Sequence, residues 1–196
     1  MRLPFLLLPV LVALAPLSIL ANEHQHKHHE HKQSLAAHVH GLATLDIALE
    51  GQRLELHLNS PAMNIVGFEY QPNSAADKKT VADAERTLKN EQLLFKLSSD
   101  AQCALSSVNI ENDLTAGHAE EHDHTTHDDK HDAEHQHSDI QGSYTFNCAN
   151  PHKLKSIDLA GFFTAFPLTE KIHLQLITAQ TQQGAQMSVS TPQLDW

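Results

Sequence analysis

Two neighbouring segments of the chain show alternation of apolar and polar positions. Residues 43–49 and 54–58 each place an apolar side chain at every second position, as in a half-buried β-strand. A turn centred on residues 51–52 sets Leu49 opposite Leu54, and this register puts the alternating apolar side chains of both segments on one face. The pattern therefore predicts a β-hairpin.

A single long helix is predicted farther along the chain. Ser74 and Asp77 have the spacing of a capping box, in which each side chain accepts a hydrogen bond from the other residue's backbone N–H. Over residues 81–95 apolar side chains return at helical intervals through a stretch of Lys, Glu and Gln. These features predict one helix over residues 74–97.

Further alternating segments complete the predicted fold. They lie around residues 103–110, 144–148, 172–176 and 185–189. The last two read as a second hairpin. Six or seven strands around one helix indicate an α+β fold with a mostly antiparallel sheet. We expect one such domain over residues 37–196.

The first residues have the form of a secretory signal peptide. Met1 and Arg2 make a positively charged start, residues 3–17 are almost wholly apolar, and a polar region begins abruptly at Asn22. Three prolines interrupt the apolar segment, which disfavours a membrane anchor. We expect cleavage of residues 1–21, export of the rest, and no membrane insertion afterwards.

Cys103 and Cys148 are the only cysteines. An even number in an exported chain favours one disulfide, and both residues fall on the apolar faces of predicted strands. Metal binding is the alternative, although no Cys-x-x-Cys spacing exists and the remaining ligands would have to come from distant segments. The disulfide is the preferred interpretation.

Histidine is unusually frequent. The seventeen histidines outnumber the thirteen lysines and arginines, and the formal charge is −11. Such a chain repels polyanions, so nucleic acid is excluded as a partner. Fourteen histidines lie in the N-terminal arm (residues 22–36), at its border with the folded body, or in the histidine-rich insertion (residues 111–139). They are His24, His26, His28, His29, His31, His38, His40, His118, His122, His124, His127, His131, His135 and His137.

The clustered histidines predict a metal-collecting function. Near neutral pH most imidazoles are uncharged and offer a nitrogen lone pair, which suits Zn(II), Ni(II) and Cu(II), whereas Ca(II) and Mg(II) prefer oxygen. Carboxylates in the insertion attract divalent cations before any specific bond forms. Neither the arm nor the insertion has apolar periodicity, so both are expected to be disordered. A polar linker and a pH sensor are the alternative interpretations.

His38 and His40 differ from the other clustered histidines because they adjoin the first strand. In an extended chain, residues two apart project from one face about 7 Å apart, close enough for both imidazoles to bind one tetrahedral ion. They are the candidate ligands of an ordered site, and the alternative is two more solvated histidines of the arm. His57 is expected on the polar face opposite Asp46, as a surface residue.

No enzymatic activity is predicted. Residues 118–122 and 131–135 both fit the His-x-x-Glu-His pattern of inverted zinc proteases. That pattern needs a buried helix, and neither segment has an apolar face. The chain also has no nucleophile elbow, phosphate loop or dinucleotide-binding turn. A metallohydrolase is therefore the weakest alternative.

Three strings of residues resemble the ZrgA-type family of zinc-regulated bacterial periplasmic proteins. They are His38-Val39-His40-Gly41, the S-P-A-M-N-I-V-G-F-E of residues 60–69, and the Y-T-F-N-C-A-N-P of residues 144–151. The resemblance runs from about residue 37 to residue 192. It implies a periplasmic protein that binds zinc and assists its acquisition, with an importer as partner. It carries over to His38 and His40 as motif positions and to Cys103 and Cys148 as the matching pair.

These observations together predict a protein that captures and buffers Zn(II) through its histidine-rich segments and assists a membrane importer. Ni(II) and Cu(II) are alternative metals, because imidazole binds all three. The alternative function is an adaptor or a pH or metal sensor that docks on a transporter. Its docking residues would be Phe162, Phe163 and Phe166, although we expect these rings in the core.

Overall fold

The computed structural model describes residues 39–115 and 138–196, and its first elements form the predicted hairpin. β1 (Leu42–Glu50) and β2 (Arg53–Pro61) pair antiparallel, with Leu49 opposite Leu54. The predicted register is therefore confirmed. The signal segment, the arm, His38 and the interior of the insertion lie outside the described residues, so the predictions about them stay predictions.

Four helices and seven further strands follow in the part of the chain that the structure describes. They are α1 (Ala62–Val66), α2 (Ala75–Leu88), α3 (Glu91–Leu94), β3 (Lys96–Leu97), β4 (Cys103–Asn112), β5 (Asp139–Cys148), β6 (Ser156–Asp158), α4 (Ala160–Ala165), β7 (Lys171–Thr178), β8 (Gln182–Ser188) and β9 (Gln193–Asp195). Within these ranges no helix is both long enough and apolar enough to cross a membrane.

The strands form two sheets. The larger has the order β4-β5-β2-β1-β7-β8, and only its β1–β7 pair is parallel. The smaller is antiparallel, with the order β3-β6-β9. The predicted α+β class is confirmed, but the described residues contain nine strands rather than six or seven. The additional strands were missed because β3, β6 and β9 have only two or three residues each, too few to show alternation.

The predicted helix over residues 74–97 is too long. α2 begins at the predicted capping box, with the Ser74 side chain accepting from the Asp77 backbone N–H. It ends at Leu88, a short α3 follows, and the chain is extended from Phe95 through β3. Leu88 and Phe95 are seven residues apart, a spacing that fits a continuous helix equally well. The apolar pattern therefore could not reveal the break.

The inner face of the large sheet packs against the helices. The Tyr144 ring of β5 meets Phe95 edge to face, with ring centroids 5.0 Å apart. Its hydroxyl donates to the Leu88 carbonyl oxygen at 2.8 Å, which satisfies an orphan acceptor at the end of α2. Burial, and then the Glu91 carboxylate, raise the pKa of the Tyr144 phenol above its ordinary value.

The phenylalanines near the C-terminal end belong to this core. Phe162, Phe163 and Phe166 are buried, so the expectation that they fill the core is confirmed and they present no docking surface. α4 approaches α3 so closely that a Cβ on Gly161 would stand 1.8 Å from the Leu93 carbonyl oxygen. Only glycine fits there.

The predicted disulfide is confirmed. Cys103 and Cys148 lie directly opposite each other on β4 and β5, and their sulfurs are 2.05 Å apart. The cysteines are therefore not metal ligands. The bond closes the β4–β5 pair at the end opposite to the histidine-rich insertion, which connects Asn112 to Asp139.

Candidate metal centre

Most of the predicted metal ligands lie outside the described residues. Of the fourteen clustered histidines, only His40 is described. His38, the five histidines of the arm and the seven of the insertion therefore remain predicted ligands.

His40 stands in a turn immediately before β1 and contacts a carboxylate. Its Nε2 lies 3.1 Å from Oε1 of Glu69. The His40 side chain is 52% exposed and that of Glu69 only 15% exposed. The His40–Glu69 pair therefore combines a carboxylate fixed at the surface of the body with an imidazole that is open to solvent.

Asn64 of α1 fixes the turn that carries His40. The Gly41 backbone N–H donates to Asn64 Oδ1 at 2.7 Å, and Asn64 Nδ2 donates to the Leu42 carbonyl oxygen at 3.0 Å and to Ser60 Oγ at 3.2 Å. Asn64 is 1% exposed, so these partners replace water around a buried amide. The S-P-A-M-N segment thereby ties the start of β1 to the end of β2.

Two left-handed glycines shape the site. Gly67 has a φ of 84° at the end of α1 and turns the chain towards Glu69. Gly41 also has a φ of 84° and is packed against the Glu170 side chain. A Cβ on Gly41 would stand 3.2 Å from both Cγ and Cδ of Glu170. A second carboxylate thus flanks the turn that carries His40.

The histidine-rich insertion rejoins the described body beside the same pair. Ser138 Oγ donates to the Glu69 carbonyl oxygen at 3.2 Å, and the Ala62 N–H donates to the Ser138 carbonyl oxygen at 2.8 Å. The Asp113 N–H donates to the Asp139 carbonyl oxygen, which holds the outgoing and returning ends of the insertion together. The predicted arm (residues 22–36) ends four positions before His40 in the sequence. Both histidine-rich tracts therefore adjoin the His40–Glu69 pair.

The family model for ZrgA family zinc uptake proteins matches residues 37–196. The chain belongs to the ZrgA family. A search of curated proteins finds no match.

The residues of the His40–Glu69 pair lie within the part of the chain that the zinc uptake family model matches. The match begins before His40 and includes Glu69, whereas the arm lies outside it. Glu69 was not predicted as a ligand, since it is 29 residues from His40 in sequence. The one sequence signal was that it closes the S-P-A-M-N-I-V-G-F-E string, one of the three on which the resemblance to the family rests.

The remaining described histidines do not contribute to this site. His57 lies on the exposed outer face of the sheet, opposite Asp46 as predicted, with Nδ1 3.2 Å from Ser143 Oγ. His173 lies on the same face and His152 is also exposed. Among residues 39–115 and 138–196, no three His, Cys, Asp or Glu side chains are grouped so as to hold a metal ion. Within the described residues, His40 and Glu69 are thus a contacting pair of potential ligands and not a complete metal site.

Proposed function

We propose that this protein captures and buffers Zn(II) in the periplasm and assists zinc uptake by a membrane importer. The observation that carries the proposal is the position of the His40–Glu69 pair, where the arm joins the body and where the insertion returns to it. Membership of the ZrgA family is the reason for choosing zinc as the metal in this proposal. Zinc is the cargo in this proposal, and no catalytic role is assigned.

The ordered site is proposed to contain His38, His40 and Glu69. A nitrogen and an oxygen that both bind a tetrahedral Zn(II) at about 2.0–2.1 Å are about 3.3 Å apart. His40 Nε2 and Glu69 Oε1 are already 3.1 Å apart. Both atoms can therefore bind one ion with little movement of the backbone, and His38 would add a third ligand.

The arm and the insertion are proposed to capture zinc quickly and weakly. Each binding event in these tracts has to order flexible chain, which lowers the affinity. Because both tracts are covalently attached next to the ordered site, a captured ion is at high effective concentration there. The tracts would then determine how many zinc ions the protein binds, and the site on the body would hold one ion tightly.

Acidification is expected to release the zinc. Protonated imidazole cannot bind a metal ion, and metal binding competes with protons. A protonated His40 would instead form an ion pair with Glu69 across the existing contact. Release at low pH therefore needs no change in the fold.

Zinc stoichiometry and affinity of matched variants test the proposal. Deletion of residues 116–137 retains Asp113 and Ser138, whose hydrogen bonds hold the base of the insertion, and should remove several bound zinc ions while sparing the tightest one. The double variant H38A/H40A should keep most of the capacity and lose the tightest affinity. H57A/H173A removes the same number of imidazoles from the outer face and serves as the control.

Atomic spectroscopy gives the bound zinc, and competition with a chromophoric chelator gives the affinity. Parallel titrations with Ni(II) and Cu(II) identify the preferred metal. An unchanged stoichiometry in the deletion variant would contradict capture by the insertion. An unchanged tightest affinity in H38A/H40A would contradict the ordered site.

A further inference from the structure

We infer that Glu170 is a further ligand of the zinc ion at the His40–Glu69 pair, so that the described body alone supplies one imidazole and two carboxylates. The inference rests on the proposed function, because it concerns the same ion.

Backbone hydrogen bonds hold Glu170 beside His40. The N–H groups of Glu170 and Lys171 both donate to the Gly41 carbonyl oxygen, at 2.8 and 2.9 Å. Gly41 directly follows His40, so the start of β7 is attached to the turn that carries the imidazole. β7 then continues parallel to β1, with Lys171 opposite Leu42. The pairing of β1 with β7 thus brings a residue near the C-terminal end next to one near the start of the body.

The missing side chain of Gly41 makes room for the Glu170 carboxylate. The Glu170 carboxyl carbon is 3.2 Å from the position that a Gly41 Cβ would occupy. It is therefore at most about 4.7 Å from Gly41 Cα and at most about 8.5 Å from His40 Cα, because consecutive Cα atoms are about 3.8 Å apart. An imidazole, a metal ion and a carboxylate oxygen together bridge such a distance.

The Glu170 carboxylate is available for binding. The residue is exposed, and among the described residues no hydrogen bond or ion pair holds its side-chain oxygens. The side chains do not yet form a group that could hold a metal. Binding therefore requires the Glu170 side chain to turn towards His40, and this rotation breaks no existing polar contact.

The charges of the site explain why a cation should bring about that rotation. Glu69 and Glu170 are both acidic, so bringing their carboxylates together at one point is unfavourable unless a cation stands between them. Two carboxylates balance the double charge of Zn(II), and carboxylate oxygens are established zinc ligands. A divalent ion between the two carboxylates attracts both of them.

Site-resolved titration tests the inference in the full chain. Zn(II) is titrated into ¹⁵N-labelled protein, and the amide signals of Gly41 and Leu42 report binding at the body separately from binding in the tracts. E170Q, which keeps the shape of the side chain, should weaken zinc binding at these signals at least tenfold. E50Q makes the same change of charge at the opposite end of β1 and should leave the affinity unchanged.

The outcomes separate this inference from the proposed function. If H40A and E69Q weaken binding while E170Q behaves as E50Q does, Glu170 is not a ligand and the proposed site stands. If Gly41 and Leu42 do not respond to zinc in the unchanged protein, the proposed site and the inference both fail. If the effect of E170Q disappears in 0.5 M salt, Glu170 acts only through long-range attraction, and the inference is overturned. A tenfold or larger loss that persists at high salt supports ligation.

Discussion

The two ends of the β4–β5 pair are held together by different means. At one end Cys103 and Cys148 form a disulfide. At the other end the Asp113 N–H donates to the Asp139 carbonyl oxygen, and the Asp139 N–H donates to Asp113 Oδ2, both at 3.1 Å. The disulfide end is remote from the insertion, and the hydrogen-bonded end adjoins Glu69.

The covalent bond that stabilises the fold and the residues proposed to bind metal therefore lie at opposite ends of the same strand pair. β4 and β5 have ten residues each, so their two ends are about 30 Å apart. The covalent link fixes the fold without occupying any potential ligand near the site. The opposite end gathers polar groups from the start of β1, from the chain after α1 and from the base of the insertion. We therefore expect that each end can be weakened while the other keeps its role.

Removal of the disulfide should have the largest effect on stability. Its cysteines are 45 residues apart, so the chain-entropy model predicts that C103S/C148S lowers the free energy of unfolding by about 4 kcal/mol. Urea unfolding of the oxidised protein and of the variant measures the loss, and reduced wild-type protein is the matched control. The folded variant should bind zinc at His40 with unchanged affinity. A weaker affinity would show that the two ends are coupled.

Substitution of Asn64 should affect both stability and metal binding, because this residue belongs to the hydrogen-bonded end. N64A leaves the Gly41 N–H and the Leu42 carbonyl oxygen without their partner, at a cost of about 2 kcal/mol. The turn that carries His40 is then loosened, so zinc affinity at the body should fall. N59A changes an exposed asparagine of β2 and should lower neither the stability nor the zinc affinity. Wild-type zinc affinity in N64A would disprove the positioning role.

The smallest predicted effect concerns Tyr144, in the core between the two ends. Y144F removes the hydrogen bond to the Leu88 carbonyl oxygen and should cost about 1 kcal/mol at neutral pH. Burial raises the pKa of Tyr144 in the folded protein, whereas the unfolded chain ionises near the ordinary value of about 10. The stability gained by keeping this tyrosine neutral is therefore present below pH 10 and is lost as the pH rises above it.

Urea unfolding of wild type and Y144F at pH 8 and pH 10.5 checks the direction of this pH dependence. Wild type should be the more stable protein at pH 8, and its advantage should shrink or reverse at pH 10.5. Y144F lacks the titrating group and should therefore lose less stability over the same interval. An equal loss in both proteins would mean that Tyr144 does not limit stability at alkaline pH.

Parts of the fold that depend on neighbouring residues could be predicted. The β1–β2 register follows from a period of two around a short turn, and the start of α2 follows from Ser74 and Asp77. The disulfide followed from a count of two cysteines. The end of α2 could not be predicted, because the spacing of Leu88 and Phe95 suits a helix whether or not it is interrupted. In the structure the helix stops at Leu88, and the separate α3 packs against α4 at Gly161.

By itself, the sequence determined the concentration of histidine in two tracts, the metal chemistry that imidazole permits, and His40 as a residue at the border of the fold. These properties are local, so they need no knowledge of distant contacts. The tertiary structure alone decided that Glu69 contacts His40, that Glu170 lies against Gly41, and that Ser138 at the base of the insertion bonds to Glu69. The physical reason is that strand pairing and the buried amide of Asn64 join segments that are far apart in the chain. No local pattern records which segments will be joined.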